Sequence, residues 1–316
     1  MPRKPRLHFP NATYHVIIRG NDGTDIFFSD QDRTKFYSLL REAIEGFNFR
    51  LHAFCLMTNH AHFVLQVGKI PLSRILQNIS QRYTQWINST HSRTGHVFQG
   101  RYKAILIDAD EYLLQLVRYV HRNPIRAHIV DDLGKYWWSS HCVYLGRENL
   151  SWVTTDFVLS QFASQEITAR ARYLDFVADH IDDGRRKEFY SGMCDGRILG
   201  DDDFTDNAIL TARQEPPDHF TLADVLAAVC CEFGISEAEL RSAGKAHPAS
   251  EARAVAALIV EESRHMSLTA LAKELQRDAS ALGKLAQRLR HRTVTDAQLA
   301  ESIDGVRAKL HKCPDV

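Results

Sequence analysis

From Thr13 to Arg19 the chain reads Thr-Tyr-His-Val-Ile-Ile-Arg, a β-branched and aromatic run closed by Gly20-Asn21-Asp22-Gly23. That pattern predicts a strand ending in a turn. After Ser29-Asp30, a suitable helix start, Phe36, Leu39, Leu40 and Ile44 recur near helical spacing and predict a helix to about Glu45. Phe49 to Met57 and His60 to Val67 are apolar runs separated by Thr58-Asn59, which predicts two strands joined by a tight turn. Pro71 opens a long helix through Ile75, Ile79, Tyr83 and Trp86 to near His91. Phe98 to Ile107 reads as another strand, and Asp110 to Asn123 as a helix that Pro124 ends. The order is strand, helix, strand, strand, helix, strand and one extra helix. It predicts an α+β fold, a ferredoxin-like split β-α-β antiparallel sheet with its helices on one face and the other face free for a site.

Beyond Ser151 the pattern weakens. Thr168 to His180 reads as a helix, Arg185-Arg186-Lys187 is a basic cluster, and Asp201-Asp202-Asp203 an acidic one. Pro216-Pro217 marks a boundary. After it, Leu222 to Phe233, Ser236 to Arg241, Ser250 to Ser263, Ser267 to Leu275 and Asp278 to Arg290 all read as helices, with good formers inside and Ser or Asp at several starts. The expected organisation is a sheet domain over 1–150, a mainly helical connector over 151–216, an all-helical domain over 217–295 and a tail over 296–316.

With 316 residues and 44% apolar content there is enough material for real cores. No apolar run approaches the roughly 18 residues of a membrane span. No hydrophobic signal core follows the basic Met1-Pro2-Arg3-Lys4-Pro5-Arg6, so a cytoplasmic protein is expected. The six cysteines show no C-x-x-C spacing and read as reduced thiols. The zero net charge hides an asymmetry: residues 1–150 hold 19 Lys and Arg against 12 Asp and Glu, the remainder 20 against 27. No carboxylate occurs from Gly46 to Ile107, while Arg50, Lys69, Arg74, Arg82, Arg93, Arg101 and Lys103 all do. A stretch of that kind suits a polyanion such as nucleic acid; a merely solvated basic face is the alternative.

Within it lies Asn59-His60-Ala61-His62. Alternate residues of a strand share a face, so His60 and His62 project side by side as two ready metal ligands. No Cys or Asp stands nearby to close a structural zinc site, and two imidazoles leave positions open for phosphate oxygens, as a catalytic ion requires. In the last predicted helix of the sheet domain the apolar stripe is Leu113, Leu116, Val117 and Val120. Tyr119 falls roughly 130° from its centre, beside Gln115, Arg122 and Asn123. This predicts a tyrosine projecting among polar neighbours, away from the packing face, where a nucleophile is wanted. Asn123, one turn on, is a candidate third ligand, although the residue before a proline is pushed out of helical geometry.

Met57-Thr58-Asn59-His60-Ala61-His62-Phe63, Gln99-Gly100-Arg101-Tyr102-Lys103 and Arg118-Tyr119-Val120-His121-Arg122-Asn123-Pro124-Ile125-Arg126-Ala127 together resemble the REP-associated tyrosine transposases. These belong to the HUH single-tyrosine group that includes the smallest bacterial insertion-sequence transposases. The resemblance spans about residues 8–145. It implies that His60, His62 and Asn123 hold Mg²⁺ or Mn²⁺ and that Tyr119 attacks single-stranded DNA near a hairpin, forming a 5′-phosphotyrosine. Arg74, Arg82, Arg101, Lys103, Arg122 and Arg126 are then candidate phosphate contacts, and Tyr83, Trp86 and Tyr102 candidate base-stacking rings. The expected form is a monomer or homodimer with no membrane association.

Phe220 to Val225, Ser267 to Leu271 and Arg277 to Leu282 are similar to the DNA-binding domain of the bacterial replication initiator, a helix-turn-helix whose second helix enters the major groove. Arg277, Lys284 and Arg288 would face double-stranded DNA. The sequence departs from that pattern at Ala279, where the family has histidine, and in a basic loop reduced to Lys245 and Arg253. The rival readings are a catalytically idle DNA-binding regulator on the same fold, and a metal-dependent hydrolase that uses water and leaves no covalent adduct.

Overall fold

The structure is a computed structural model that describes residues 7–179, 186–193, 196–214, 220–244, 246–263, 266–293 and 296–311. Pro216-Pro217, Lys245, Arg185, His180, Cys194, Cys313 and the basic N-terminus lie outside the described residues; Cys55, Cys142, Cys230 and Cys231 are free thiols. The chain divides into two compact units, 1–214 and 215–316.

The first unit runs β1 (Thr13–Arg19), α1 (Asp30–Phe47), β2 (Arg50–Leu56), β3 (His60–Gln66), α2 (Leu72–Thr90), β4 (Lys103–Ile107), α3 (Ala109–His121) and α4 (Asn123–Arg126). It continues through α5 (His141–Tyr144), α6 (Asp156–Leu159), α7 (Glu166–Ala178), α8 (Glu188–Ser191), β5 (Ile198–Leu199) and α9 (Asp202–Gln214). The strand order is β2-β3-β1-β4-β5. The first four strands are antiparallel neighbours as the sequence predicts; β5 adds itself parallel to β4, making the sheet mixed. β3, with the histidine pair, is interior.

Helix α1 starts where Ser29 and Asp32 satisfy each other's backbone N–H groups in a capping box, and it ends at Asn48 with a left-handed φ of 50°. With α2 it covers one sheet face, where Phe36, Leu39, Ile75 and Tyr83 pack on Val16, Phe54 and Phe63. The opposite face is covered too, contrary to the one-sided expectation. Ala53, Val64, Ile105 and Ile107 there meet Leu113, Leu116 and Val117 of α3, backed by Ala169, Tyr173 and Val177 of α7. Residues 151–214 are thus no connector: they supply a strand and much of the second core. Pro124 does not end the helical path either, since it sits in the first turn of α4, where a missing N–H leaves no bond unmade.

The backbone N–H of Gly20 donates to Asn59 O at 2.8 Å, tying the end of β1 to the turn before His60. A Cβ at Gly20 would stand 1.9 Å from the Thr24 carbonyl oxygen, so only glycine fits there.

The second unit contains α10 (Leu222–Phe233), α11 (Glu237–Arg241), α12 (Ala249–Glu262), α13 (Leu268–Leu275), α14 (Ala279–Thr293) and α15 (Ala297–His311). Apolar α12 is its centre, buried from Ala252 to Val260. The stretch expected to be a tail is helix α15, which buries Leu299, Ile303, Val306 and Leu310 in the core and ion-pairs through Lys309 to Glu232. Its apolar residues recur at helical spacing, a pattern the sequence reading passed over. No helix among the described residues is long and apolar enough to cross a membrane.

Candidate active site

Antiparallel register sets Ile17 opposite His62 and Arg19 opposite His60. Directly paired residues point to the same side, so His15, Arg19, His60 and His62 share the second sheet face, with Lys103 opposite Ile17 on β4. The His60 and His62 rings are 5.1 Å apart, and His62 is fully buried. Helix α3 crosses this face and brings the Tyr119 ring within 6.3 Å of both His62 and His15 of the same chain. Helix α8 closes the site, with Phe189 at 4.9 Å and Tyr190 at 6.0 Å from the Tyr119 ring. Around a hollow of about 490 Å³ stand Arg19, His60, Tyr119, Asn123, Arg126 and Tyr190.

The tautomers follow from the hydrogen bonds. Asn59 Nδ2 donates to the Gly23 carbonyl at 3.1 Å, so its Oδ1 is the atom 2.7 Å from His60 Nδ1, and that nitrogen must donate. A neutral His60 then carries its lone pair on Nε2. His62 Nε2 is buried and has no hydrogen-bond partner among the described residues. Burial lowers the pKa of His60 to about 4, helped by the nearby Arg19 charge. The same desolvation, with His15, His60 and Arg126 adding repulsion, holds His62 well below the ordinary range. Both imidazoles are therefore neutral at physiological pH, the form that binds a cation. An orphaned buried nitrogen beside a second free Nε2 fits a divalent ion. No three His, Cys, Asp or Glu side chains gather as a metal cage among the described residues, so further ligands must come from amides or from substrate.

Tyr119 departs from its expected orientation. It is 4% exposed and belongs to the second core, not to a polar flank. The helical wheel assumed one packing face for α3, whereas the sheet and residues 151–214 bury its last turn from several sides. Asn123 stands on the same hollow, but its Oδ1 accepts from Arg126 Nη2 at 2.9 Å, while its Nδ2 donates to the carbonyl of Val120 at 3.0 Å. The Arg126 guanidinium lies 3.8 Å from the Tyr119 ring centre and also donates to the Tyr119 carbonyl at 2.5 Å. A cation is thus held directly over the phenol.

Arg126 and Lys103 share the site face, and Arg101 lies on a neighbouring hollow of about 680 Å³ with Gln77, Gln81, Gln85, Phe98 and Tyr102. Arg19 lines both hollows. Arg74 and Arg82 line neither, and Arg82 is ion-paired to Glu42 at 2.5 Å. Arg122 is buried and donates to the Val177 carbonyl at 2.5 Å, which places it outside any strand path. Tyr83 is a core residue donating to Ile26 O at 2.6 Å, and Trp86 packs against the first core under Lys35. In the second unit, Lys284 and Arg288 are exposed along α14, whereas Arg277 donates to the Ser242 carbonyl.

His15 escaped the sequence reading. Its signal was present: at alternate positions of β1, His15 shares a face with Arg19.

The buried His62, the half-buried His60 and a tyrosine under an arginine, on a sheet-and-helix scaffold, bring lone-pair nitrogens, a phenol and a guanidinium together at one site. Residues 8–123, rather more than a third of the chain, match the family model described as transposase, IS200 like. A solved structure, "Structure of the REP associates tyrosine transposase bound to a REP hairpin", is 13% identical, with 49% of this chain and 98% of that chain covered and a TM-score of 0.41. No protein of curated function matches the chain.

Proposed function

We propose that the first unit is a DNA-strand nicking and joining enzyme, a transposase that cuts single-stranded DNA beside a hairpin through Tyr119. The phenolic oxygen attacks the scissile phosphorus, the bond to the 3′-oxygen breaks, and the phenolic proton is lost as the departing 3′-oxygen gains one. The product is a 5′-phosphotyrosine and a 3′-hydroxyl, and the retained phosphoester energy allows rejoining without a nucleotide cofactor. His60 and His62, with Asn123 as third ligand, would hold Mg²⁺ or Mn²⁺, which supplies polarisation of a phosphate oxygen. Asn123 Oδ1 becomes available when Arg126 turns from it to the substrate phosphate. Attack in cis is supported by the closeness of Tyr119 to its own chain's histidines.

The flanking strand would pass Arg19 into the larger hollow, where Arg101 meets phosphate and Tyr102 and Phe98 offer stacking surface. Lys284 and Arg288 on α14 would meet duplex DNA through phosphates, the second helix of a helix-turn-helix. The observation that carries the catalytic reading is the meeting of His60, Tyr119 and Arg126 at one hollow lined by no carboxylate, with the unpartnered Nε2 of the buried His62 on the ring 5.1 Å behind His60.

The test is incubation with end-labelled single-stranded hairpins in Mn²⁺ or EDTA. Label should migrate with the protein on a denaturing gel, and EDTA or Tyr119→Phe should abolish that species while native-gel binding persists. Cleavage without adduct would make the chain a hydrolase, and binding with neither would make it a regulator.

A further inference from the structure

The Phe189 carbonyl lies 2.8 Å from His15 Nδ1 and can only accept, so His15 Nδ1 carries the proton. His15 is buried at 1% exposure, and with its one ring proton on Nδ1 the lone pair lies on the other nitrogen. Its Nε2 is therefore an acceptor. That atom is 2.9 Å from His62 Nδ1, which must donate to it. The two rings are near-coplanar, with centroids 5.2 Å apart and an interplanar angle of 17°, as an in-plane N–H···N bond requires. His62 is thereby held as the Nδ1–H tautomer, leaving its Nε2 as the bare, buried, unpartnered nitrogen.

We infer that His15 is a positioning residue for the proposed metal centre: through one hydrogen bond it fixes the tautomer and ring plane of His62, and the Phe189 backbone fixes His15. This rests on the metal reading given above. Hydrogen-bond partners behind a ligating imidazole hold its orientation and raise its basicity, and their loss commonly costs roughly 10–100-fold in metal affinity. The relay also gives residues 186–193 and 196–199 a task. Strand β5 pairs with β4, the Ser191 and Met193 backbones bond to Lys187 and Ile198, and this fold-back presents the Phe189 carbonyl to β1.

The experiment measures Mn²⁺ binding to the full-length chain without DNA, by calorimetry and electron paramagnetic resonance. His15→Phe keeps a flat ring but no acceptor and should weaken binding about 10–100-fold. His15→Gln, whose amide oxygen can take the place of Nε2, should restore affinity to within a few-fold. Equal affinity in the wild type and His15→Phe, in a protein where His60→Ala loses the ion, overturns the inference. If the wild type binds no Mn²⁺, the metal reading fails, and ¹⁵N spectra of the His62 ring still decide the relay. A pure Nδ1–H tautomer that becomes mixed in His15→Phe supports it, and an unchanged tautomer overturns it. If His15→Phe does not fold, low affinity restored by His15→Gln relative to His15→Asn makes the same comparison.

Discussion

A guanidinium stacked on a phenol is an arrangement lysine cannot copy. Arg126 at once covers the Tyr119 ring, bonds the Tyr119 carbonyl and occupies Asn123 Oδ1. Lysine keeps the charge but loses the planar fork and the stacking. Arg126→Lys should therefore cut the rate of adduct formation by roughly 10²-fold, within the range for loss of one charge-stabilising donor. Single-turnover kinetics on a labelled oligonucleotide checks this; a rate within two-fold of wild type would remove Arg126 from the chemistry. The histidine pair was legible in the sequence because strand alternation has an exact period of two, so one register fixes both rings. Tyr119 was legible by position and not by orientation, since a wheel cannot foresee a second packing partner. Arg122 was illegible as a structural residue because its acceptor is a carbonyl 55 residues away.

At the level of elements, α7 illustrates how a helix with few fully buried residues can still anchor a core. Only Ala169, Tyr173 and Val177 bury fully, at four-residue spacing. The Tyr173 hydroxyl is 2.8 Å from both His121 Nδ1 and His141 Nδ1, and His121 Nε2 continues the network to Ser140 Oγ at 2.7 Å. Tyr173→Phe would strip two buried imidazole nitrogens of their partner, each costing about 1–3 kcal/mol. Urea denaturation should show a loss of roughly 2–6 kcal/mol; a loss under 0.5 kcal/mol, no more than a typical surface substitution costs, would mean that the network adds little. The first four strands and both long helices of the sheet domain were readable from periodicity. The two-residue β5 was not, because two residues carry no period. The helices of the second layer, α3 and α7, were readable as helices, but their packing on the opposite sheet face was not, because periodicity gives a helix its apolar stripe and not the partner that stripe meets.

Across the whole molecule, buried neutral histidines set an acid sensitivity. Burial lowers His52 and His141 from 6.5 to about 4, with the charges of Arg50 and Arg147 respectively acting in the same direction. The unfolded chain binds protons at these rings near pH 6.5 and the folded chain only near 4. Between those values the unfolded state holds more protons, so stability falls as the solution is acidified. Each ring contributes up to about 1.4 kcal/mol per pH unit in that window. Denaturation midpoints should decline steadily from pH 7 to pH 4.5, and the double replacement His52→Gln and His141→Gln should flatten the slope. Equal slopes in both proteins would show that these rings are charged, or solvated, in the native state.

The back wall of the site also has a temporal meaning. The carbonyl that orients His15 lies 174 residues further along the chain, well past Tyr119, in a segment held by a strand pairing that closes later still. A ribosome that has translated both histidines and the tyrosine has not yet supplied that wall. An interrupted or proteolysed product would carry His60, His62 and Tyr119 without the contact that orients them. Chain order then acts as an interlock, withholding the assembled histidine cluster until the first unit has been made nearly to its end.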